Sequence, residues 1–227
     1  MLALLLLFAS LPNVEQEVFA RVNAERTSHG LPALLPEEGL QRAARAQTED
    51  MTRRNFFDHV NPEGEGPGGR VSWRHRQLVG EAGENLWLGS GGANYYPSAG
   101  EIVASWMKSQ GHRENILRRD FTHMGVAIAL DNGTARATLV FATVAGYAVL
   151  PIPTRASRGE KLNLAVKGAV MFDLWSAAQR QTVLGPLPLD QAVLPREMQP
   201  GFYVLRFYFP RGDNRFTIHQ GPSIEIR

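Results

Sequence analysis

The sequence contains no cysteine among its 227 residues. This absence excludes disulfide bonds, thiolate nucleophiles and cysteine metal sites, so any bound metal would have to use histidine, carboxylate or water. An excess of charge of one sign is also missing, because 24 basic residues stand against 22 acidic ones and leave a net charge of +2. Nucleic-acid-binding proteins usually carry a basic surface, so we expect no nucleic-acid partner.

A hydrophobic run long enough to span a membrane is missing at the N terminus. The run there, LALLLLFASL, is about half the roughly 20 residues that a transmembrane helix needs. Its length is typical of a signal-peptide core, although no basic residue precedes it. We interpret residues 1–13 as a secretory signal that ends near Asn13, and the alternative is an apolar helix end packed in the core. We therefore expect a mature protein without a transmembrane helix, secreted or held at the cell envelope.

Hydrophobic residues at helical spacing follow the apolar run. They predict one helix over residues 14–28 and a second over residues 36–54. The loop after the second helix carries His59 beside two phenylalanines and leads into a glycine-rich segment, residues 64–69, without a regular period. A histidine on such a loop can reach a cleft. The alternative is that His59 and Asp58 only make hydrogen bonds within a turn.

A carboxylate lies in the segment GENLWL. Glu84 stands between Gly83 and Asn85, directly before an apolar run. A carboxylate beside a buried run is partly removed from water, so its pKa is shifted unless donors or cations meet it. Glu84 is therefore a candidate ligand, or a buried structural acceptor for backbone N–H groups.

An amphipathic helix is predicted between Pro97 and Gln110. Ser98 followed three residues later by Glu101 matches a capping box, which makes Glu101 a structural residue. Trp106 belongs to the apolar stripe that this helix would bury.

The segment GHRENIL follows, and we interpret it as a turn held by the side chains of Arg113 and Asn115. His112 lies in this turn, where a structural hydrogen bond is its default role. His123 comes next, at the mouth of a predicted strand, and we expect it to face the cleft.

Alternating apolar residues dominate the rest of the chain. They predict strands over residues 124–130 and 135–143, joined by a tight turn at residues 131–134. A proline-containing stretch, residues 148–153, is interpreted as a short linker. Residues 154–227 then carry several short strands, which predict a small immunoglobulin-like β-sandwich.

Six motifs occur in a fixed order along the first two thirds of the sequence. They are NxxR at 23–26, GLPAL at 30–34, DH at 58–59, GENL at 83–86, WMKSQGHRENIL at 106–117 and FTHMGV at 121–126. Together they resemble the bacterial branch of the CAP superfamily (cysteine-rich secretory, antigen 5, pathogenesis-related 1), also called SCP-like domains. The resemblance implies an α+β fold, an α-β-α sandwich over residues 14–147 with an open cleft, usually in an exported protein.

The resemblance also implies a site. CAP domains line the cleft with two histidines and two glutamates, which in some members hold a divalent metal such as zinc or magnesium. His59, Glu84 and His123 match three of these positions, whereas the place of the second glutamate is taken by Ser109. Two imidazoles and one carboxylate could still bind a metal with room for water. However, the obvious general base is missing, and His112 is the nearest substitute in sequence.

Two functions remain as hypotheses. The first is a binding module of the cell envelope or the extracellular space, with Ser109, His112 and Asn85 in the cleft and a small molecule, lipid or envelope polymer as ligand. The second is a metal-assisted hydrolase that acts through His59, Glu84 and His123. We favour the first because Ser109 breaks the acidic pair, and because the sequence has neither a nucleophile elbow nor an HExxH helix. We expect a monomer.

Overall fold

Two compact units make up the chain in a computed structural model that describes residues 9–227. Within these residues, the first unit comprises the chain up to Arg70 together with Ala82–Thr143, and the second comprises Val71–Glu81 together with Val144–Arg227. No helix in this part of the chain is both long and apolar enough to cross a membrane. The domain limits expected from the sequence, 147 and 154, stay a prediction.

Helices and strands of the first unit confirm the predicted α+β class. The helices are α1 (Pro12–Ser28), α2 (Glu38–Arg54), α4 (Ala99–Lys108) and α5 (Gln110–Ile116). The strands are β1 (Ala9–Ser10), β2 (Leu35–Pro36) and β4 (His123–Asp131). Three further elements extend past the unit limits in sequence: α3 (Pro67–Arg74), β3 (Leu78–Ser90) and β5 (Thr134–Tyr147). The sheet has the order β1-β4-β5-β3, and β2 pairs with β4.

Both faces of strand β4 are buried, which produces three layers. Met124, Val126 and Ile128 belong to a core cluster that also contains residues of α1, α4 and α5. The residues between them are small and face α2, because successive side chains of a strand point to opposite faces. Gly125 is one of these, and a Cβ added to it would lie 2.2 Å from the backbone nitrogen of Gln41 in α2. The sheet is therefore enclosed by helices on both sides, as the predicted α-β-α sandwich requires.

Local signals explain where the helices begin and end. The side chain of Glu37 accepts the N–H of Leu40 at the start of α2, and Asn55 ends that helix in the left-handed region with φ of 50°. Ser98 accepts the N–H of Glu101 at the start of α4, as the capping box predicts. The hairpin between β4 and β5 turns through Asn132 and Gly133, both at positive φ.

One predicted turn is a helix in the structure. The segment GHRENIL forms α5, which follows α4 after the single residue Ser109. The glycine-rich segment is also more regular than expected, since α3 begins within it at Pro67. Helix α5 is only seven residues long, and glycines precede and interrupt the first turns of α3, so neither helix is evident from local sequence.

The predicted signal segment falls mainly outside the described residues. Residues 1–8 are not described, whereas Ala9 and Ser10 pair with β4 and Leu11 is buried in the core of the first unit. Helix α1 begins at Pro12, one residue before the expected cleavage point at Asn13. Cleavage near Asn13 stays a prediction.

The second unit confirms the predicted all-β character of the C-terminal residues. Its strands are β6 (Arg155–Ala156), β7 (Met171–Ser176), β8 (Gln181–Pro188), β9 (Gly201–Pro210) and β10 (Phe216–Ile226). They form one sheet in the order β6-β10-β9-β7-β8. Its core residues pack against segments without regular strands, which contribute Leu162, Leu164, Leu194 and Met198.

Candidate functional site

Glu84 is the centre of the candidate site. It lies on β3 with only 5% of its surface exposed. Its carboxylate accepts hydrogen bonds from Nη2 of Arg70 at 3.1 Å and 2.9 Å, one to each oxygen. The Nδ1 atom of His59 lies 2.8 Å from Oε1. A buried carboxylate in this setting is stabilised by ion pairing and hydrogen bonding to a cation, and it has little capacity left for a further ligand.

Arg70 is the functional-site residue that the sequence did not indicate. It extends from α3 and is 2% exposed. Besides Glu84, its guanidinium donates to the backbone oxygens of Glu65 at 2.8 Å and His59 at 2.7 Å. Arg70 therefore fixes both the carboxylate and the loop that carries the histidine. Arg70 directly follows the glycine-rich segment 64–69, and nothing in the sequence indicates that it pairs with Glu84, 14 residues further along the chain.

His59 is the exposed member of this group. Its side chain is 49% exposed, whereas that of Glu84 is 1% exposed. The hydrogen bond to Glu84 raises the pKa of His59 above 6.5, and partial burial and the charge of Arg70 oppose that effect. With Nδ1 directed at Glu84, the other ring nitrogen is left to bind a ligand: as a donor when the ring is protonated and as an acceptor when it is neutral.

His112 is the second histidine near this group. It lies on α5, and its Nδ1 atom is buried without a hydrogen-bond partner among the described residues. Burial lowers the pKa of His112, and the nearby charge of His59 lowers it further. The two rings are therefore close enough to interact electrostatically, and His112 favours its neutral form.

Two asparagines join the motifs GENL and GHRENIL. Asn85 is fully buried, and its Nδ2 donates to the backbone oxygen of His112 at 2.9 Å. Asn115 donates to Oδ1 of Asn85 at 2.9 Å and to the backbone oxygen of Glu84 at 3.3 Å. These bonds hold α5 against β3, so Asn85 and Asn115 fix the position of His112 relative to Glu84.

Three further residues that the sequence predicts to be structural also form hydrogen bonds within the first unit. The indole N–H of the fully buried Trp106 donates to the backbone oxygen of Leu86 at 2.9 Å, and Arg113 donates to the backbone oxygen of Met107 at 3.0 Å. The carboxylate of Glu101 accepts from the hydroxyl of Tyr95 at 3.1 Å. Ser109 is half-buried between α4 and α5, and its side chain caps neither helix.

His123 lies at the start of β4, beside β2. Its Nδ1 is 2.8 Å from Oγ1 of Thr122, and its register partners are Leu35 and Ala142. Burial lowers the pKa of His123, and the charge of Glu37 opposes this effect. Within residues 9–227, no hydrogen bond or ion pair connects His123 with His59 or Glu84. The structure thus brings His112, rather than His123, into electrostatic contact with His59.

A divalent metal does not fit this arrangement. The described part of the chain contains no group of three or more histidine, aspartate or glutamate side chains placed to hold an ion. Both oxygens of Glu84 are occupied by Arg70, and a metal there would lie next to a buried guanidinium. Coulomb repulsion between these two cations in a buried place opposes binding.

Two residues of the ordered sequence motifs, Arg26 and Gly83, hold the site in place through contacts with residues distant in sequence. The fully buried Arg26 of α1 donates to four backbone oxygens, which belong to Pro32, Ile116, Arg118 and Phe121. Gly83 lies against the ring of Phe121, and an added Cβ would be 2.6 Å from it. The first motif therefore orders the loop after α5, and the glycine of GENL lets that loop pack beside Glu84.

Comparison with known proteins gives a family match over more than half of the chain. The family model described as the cysteine-rich secretory protein family (CAP) matches residues 19–145. Two Bacillus subtilis proteins are similar: YkwD is 37% identical over 123 residues, and YlbC, named as a membrane protein, is 31% identical over 114 residues. These matches cover 52% and 50% of this chain but only 43% and 31% of the relatives, so the chain corresponds to less than half of each.

A solved structure shows the same fold. An outer surface protein of Borrelia burgdorferi aligns with a TM-score of 0.54 at 14% identity, over 61% of this chain and 99% of the Borrelia chain.

Proposed function

The chain belongs to the cysteine-rich secretory protein (CAP) family, and from this premise we propose that it is an extracytoplasmic binding module that holds an anionic group against His59. The observation that carries the proposal is the bonding of Glu84. Its two oxygens are bound by Arg70 and His59, so the carboxylate is a fixed counter-ion rather than a free base or metal ligand.

The exposed part of the group favours an anion. Arg70 and Glu84 contribute one buried charge of each sign and offset one another, whereas a protonated His59 carries its positive charge at the surface, beside Asp58. The pair Arg70 and Glu84 is almost fully buried, whereas half of the His59 side chain faces solvent. A ligand would therefore meet the imidazolium first, and a charge-assisted hydrogen bond from its free nitrogen is the strongest contact that the group offers.

Hydrolysis is less well supported. A metal-dependent mechanism needs an ion and a general base, and here the candidate carboxylate is bound to a guanidinium. Ser109 adds no second carboxylate, and His112 has a lowered pKa and, among residues 9–227, no acidic partner that would orient it. The neighbourhood of His59 is thus suited to holding a ligand in place.

Location at the cell envelope is supported by two observations. The chain opens with an apolar run of the length of a signal-peptide core. The relative YlbC is named as a membrane protein. An anionic polymer of the envelope meets both conditions, because it is present at this location and carries the charge that a protonated His59 would bind.

The test is co-sedimentation of the purified protein with isolated cell-wall polymer, measured between pH 5 and 9. Binding should be strongest at low pH and fall as the pH rises through the raised pKa of His59. His59→Ala should abolish this pH dependence. His29→Ala is the matched control, since His29 is exposed at the end of α1 and should leave binding unchanged.

The raised pKa of His59 also makes the stability of the fold depend on pH. Because the folded-state pKa of His59 is raised, the interaction with Glu84 stabilises the fold fully below pH 6.5 and is lost as the pH rises through the higher value. Calorimetric titration with zinc tests the alternative hypothesis of a hydrolase. If each chain bound one zinc ion and cleaved a peptide or polysaccharide, and if His59→Ala abolished this cleavage, the hydrolase would be the correct function and the binding module would be wrong.

A further inference from the structure

Strand β10 of the second unit has one edge that is only partly paired. On one side the strand pairs with β9, whereas on the other side β6 pairs only with its last residues, Glu225 and Ile226. Ser223 is bonded on that second side as well. Its N–H donates to the hydroxyl of Ser72 at 2.7 Å, and its backbone oxygen accepts from Arg76 at 2.8 Å. The first half of the strand, residues 216–220, has no such partners among residues 9–227.

The direction of the main-chain groups in this half follows from the alternation of antiparallel strands. Successive residues of such a strand direct their N–H and C=O groups to opposite edges. The oxygen of Tyr208 in β9 points toward β7, where it accepts from Val170 at 3.0 Å. The residues on either side of Tyr208 therefore face β10, and their register partners there are Thr217 and His219. The remaining residues of this half direct their main-chain groups to the free edge; they are Phe216, Ile218 and Gln220.

Other sheet edges of the chain are blocked. The side chains of Trp106 and Asn115 donate to backbone oxygens on the edge of β3. Strand β8, the other edge of the second sheet, contains Pro186 and Pro188, which have no N–H to donate. Proteins use such devices to prevent the pairing of edges. Residues 216–220 of β10 include neither a proline nor a charged side chain, so this edge is left able to pair.

The side chains at the free edge are apolar and exposed. Phe216 and Ile218 are 39% and 43% exposed, and they lie on the same face because they are two residues apart in a strand. Tyr208 is the register partner of Ile218, and its ring meets that of Phe216 edge to face at 6.2 Å between centroids. Free main-chain groups beside exposed apolar side chains form a template for a further strand.

We propose that this edge pairs with the same edge of a second copy of the chain. A two-fold axis through Ile218 makes the two strands antiparallel, with Ile218 opposite its own copy and Phe216 opposite Gln220 in both directions. The paired residues are those whose main-chain groups face the edge. Every free N–H and C=O group of the three residues in each chain therefore gains a partner.

The limits of the free edge match those of a second copy. It begins after the turn that Arg215 closes by donating to Gly212, and it ends at the register shift after Gln220. In the antiparallel pair, the turn of one chain meets the register shift of the other, so the two free segments have the same length. A contact of this kind closes after two chains, and the prolines of β8 oppose further addition.

The dimer should be weak. About five residues of each chain take part, whereas a standard interface has roughly 20–30 residues on each side. We therefore expect a dissociation constant in the micromolar range or above. This surface is independent of the function proposed for His59, because it lies on the second unit.

Disulfide trapping tests the pairing, because the chain has no cysteine of its own. The Cα atoms of a hydrogen-bonded antiparallel pair are about 5.5 Å apart, within the range of about 4.4–6.8 Å that disulfides span. Under mild oxidation, Ile218→Cys in the full chain should form covalent dimers. Val170→Cys is the matched control, since Val170 is 47% exposed in the same unit but does not lie on this edge. We expect the Ile218→Cys dimer to form roughly tenfold faster or more.

Mixing two variants tests the register. Phe216→Cys and Gln220→Cys, one of them carrying a mass tag, should form mixed disulfides, whereas each variant alone should form few, because its cysteine lies opposite a residue that cannot react. Sedimentation equilibrium of the unmodified chain should show a monomer and dimer in exchange. Ile218→Lys should weaken this dimer roughly tenfold or more, since two like charges would lie directly opposite each other.

Three results would overturn the proposal. The first is a chain that stays monomeric at about 0.5 mM, as the sequence led us to expect, together with Ile218→Cys dimers that form no faster than those of Val170→Cys. The second is a dimer that Ile218→Lys does not weaken, which would place the contact elsewhere. The third is faster disulfide formation by Phe216→Cys alone than by the mixture, which would exclude the antiparallel register.

Discussion

Gly125 offers the sharpest test of how the helices and the sheet of the first unit fit together. The glycine lies on β4 where α2 crosses it. A Cβ at this position would be 2.2 Å from the nitrogen of Gln41, 2.4 Å from the carbonyl carbon of Leu40 and 2.7 Å from Cα of Gln41. Heavy atoms in favourable contact are about 3.5 to 4.0 Å apart. Gly125→Ala therefore forces the backbone of α2 away from β4 by about 1 Å or more.

The cost of this displacement is at the upper end of overpacking effects. Added methyl groups in packed cores cost about 1–3 kcal/mol, and here the obstacle is the backbone of α2 rather than a flexible side chain. We expect Gly125→Ala to lower the free energy of unfolding by about 3 kcal/mol. With a urea m-value of about 2 kcal/mol per molar, the midpoint should fall by roughly 1.5 M.

Urea unfolding followed by tryptophan fluorescence measures the change, and hydrogen exchange of α2 and β4 localises it. Gly111→Ala is the matched control, because Gly111 lies in α5 with no atom within 4 Å of its added Cβ. In a helix this substitution should be neutral or stabilising by about 0.5–1 kcal/mol. The three-layer interpretation would be refuted if both variants unfolded at the same urea concentration.

Two further predictions concern the core of the second unit and the N terminus. Asp173 is fully buried and accepts hydrogen bonds from Arg206 and from Tyr208. Asp173→Ala leaves the guanidinium of Arg206 bonded to the hydroxyl of Thr182 but without its carboxylate, and should cost about 3 kcal/mol in thermal or urea unfolding; a loss below about 1 kcal/mol would contradict this account. A chain that starts at Val14 should be about 2 kcal/mol less stable than one that starts at Ala9, because it lacks Leu11, which is 5% exposed. Equal stability of the two chains would show that the contacts of Leu11 and β1 contribute nothing.

Elements with a strong local signal were predictable. Helices α1 and α2 follow from apolar spacing, and the β4–β5 hairpin follows from Asn132 and Gly133, which tolerate the positive φ that the turn needs. Long elements of this kind are specified by residues close in sequence. The ordered motifs also predict the family, and membership of the family predicts the three layers of the first unit.

The helix α5 was not predictable in the same way. Seven residues are too few to form a stable helix alone, so its conformation depends on tertiary contacts. Those contacts come from Asn85 and from Arg26, which are 27 and 90 residues away from their partners on α5. Such contacts between residues distant in sequence cannot be predicted from the local sequence of α5.

The sequence by itself determined the class of fold and the family motifs. It also indicated His59 and Glu84 as candidate site residues, because each is a polar residue next to an apolar stretch. Only the tertiary structure decided what these residues do to one another. It bonded both His59 and Arg70 to the carboxylate of Glu84, set His112 near His59 and left His123 near Glu37. The physical reason is that a side chain's charge state and bonding capacity depend on neighbours brought together by packing, and these neighbours lie on elements distant in sequence. Glu84 is thereby bound as a counter-ion, which spacing alone could not indicate.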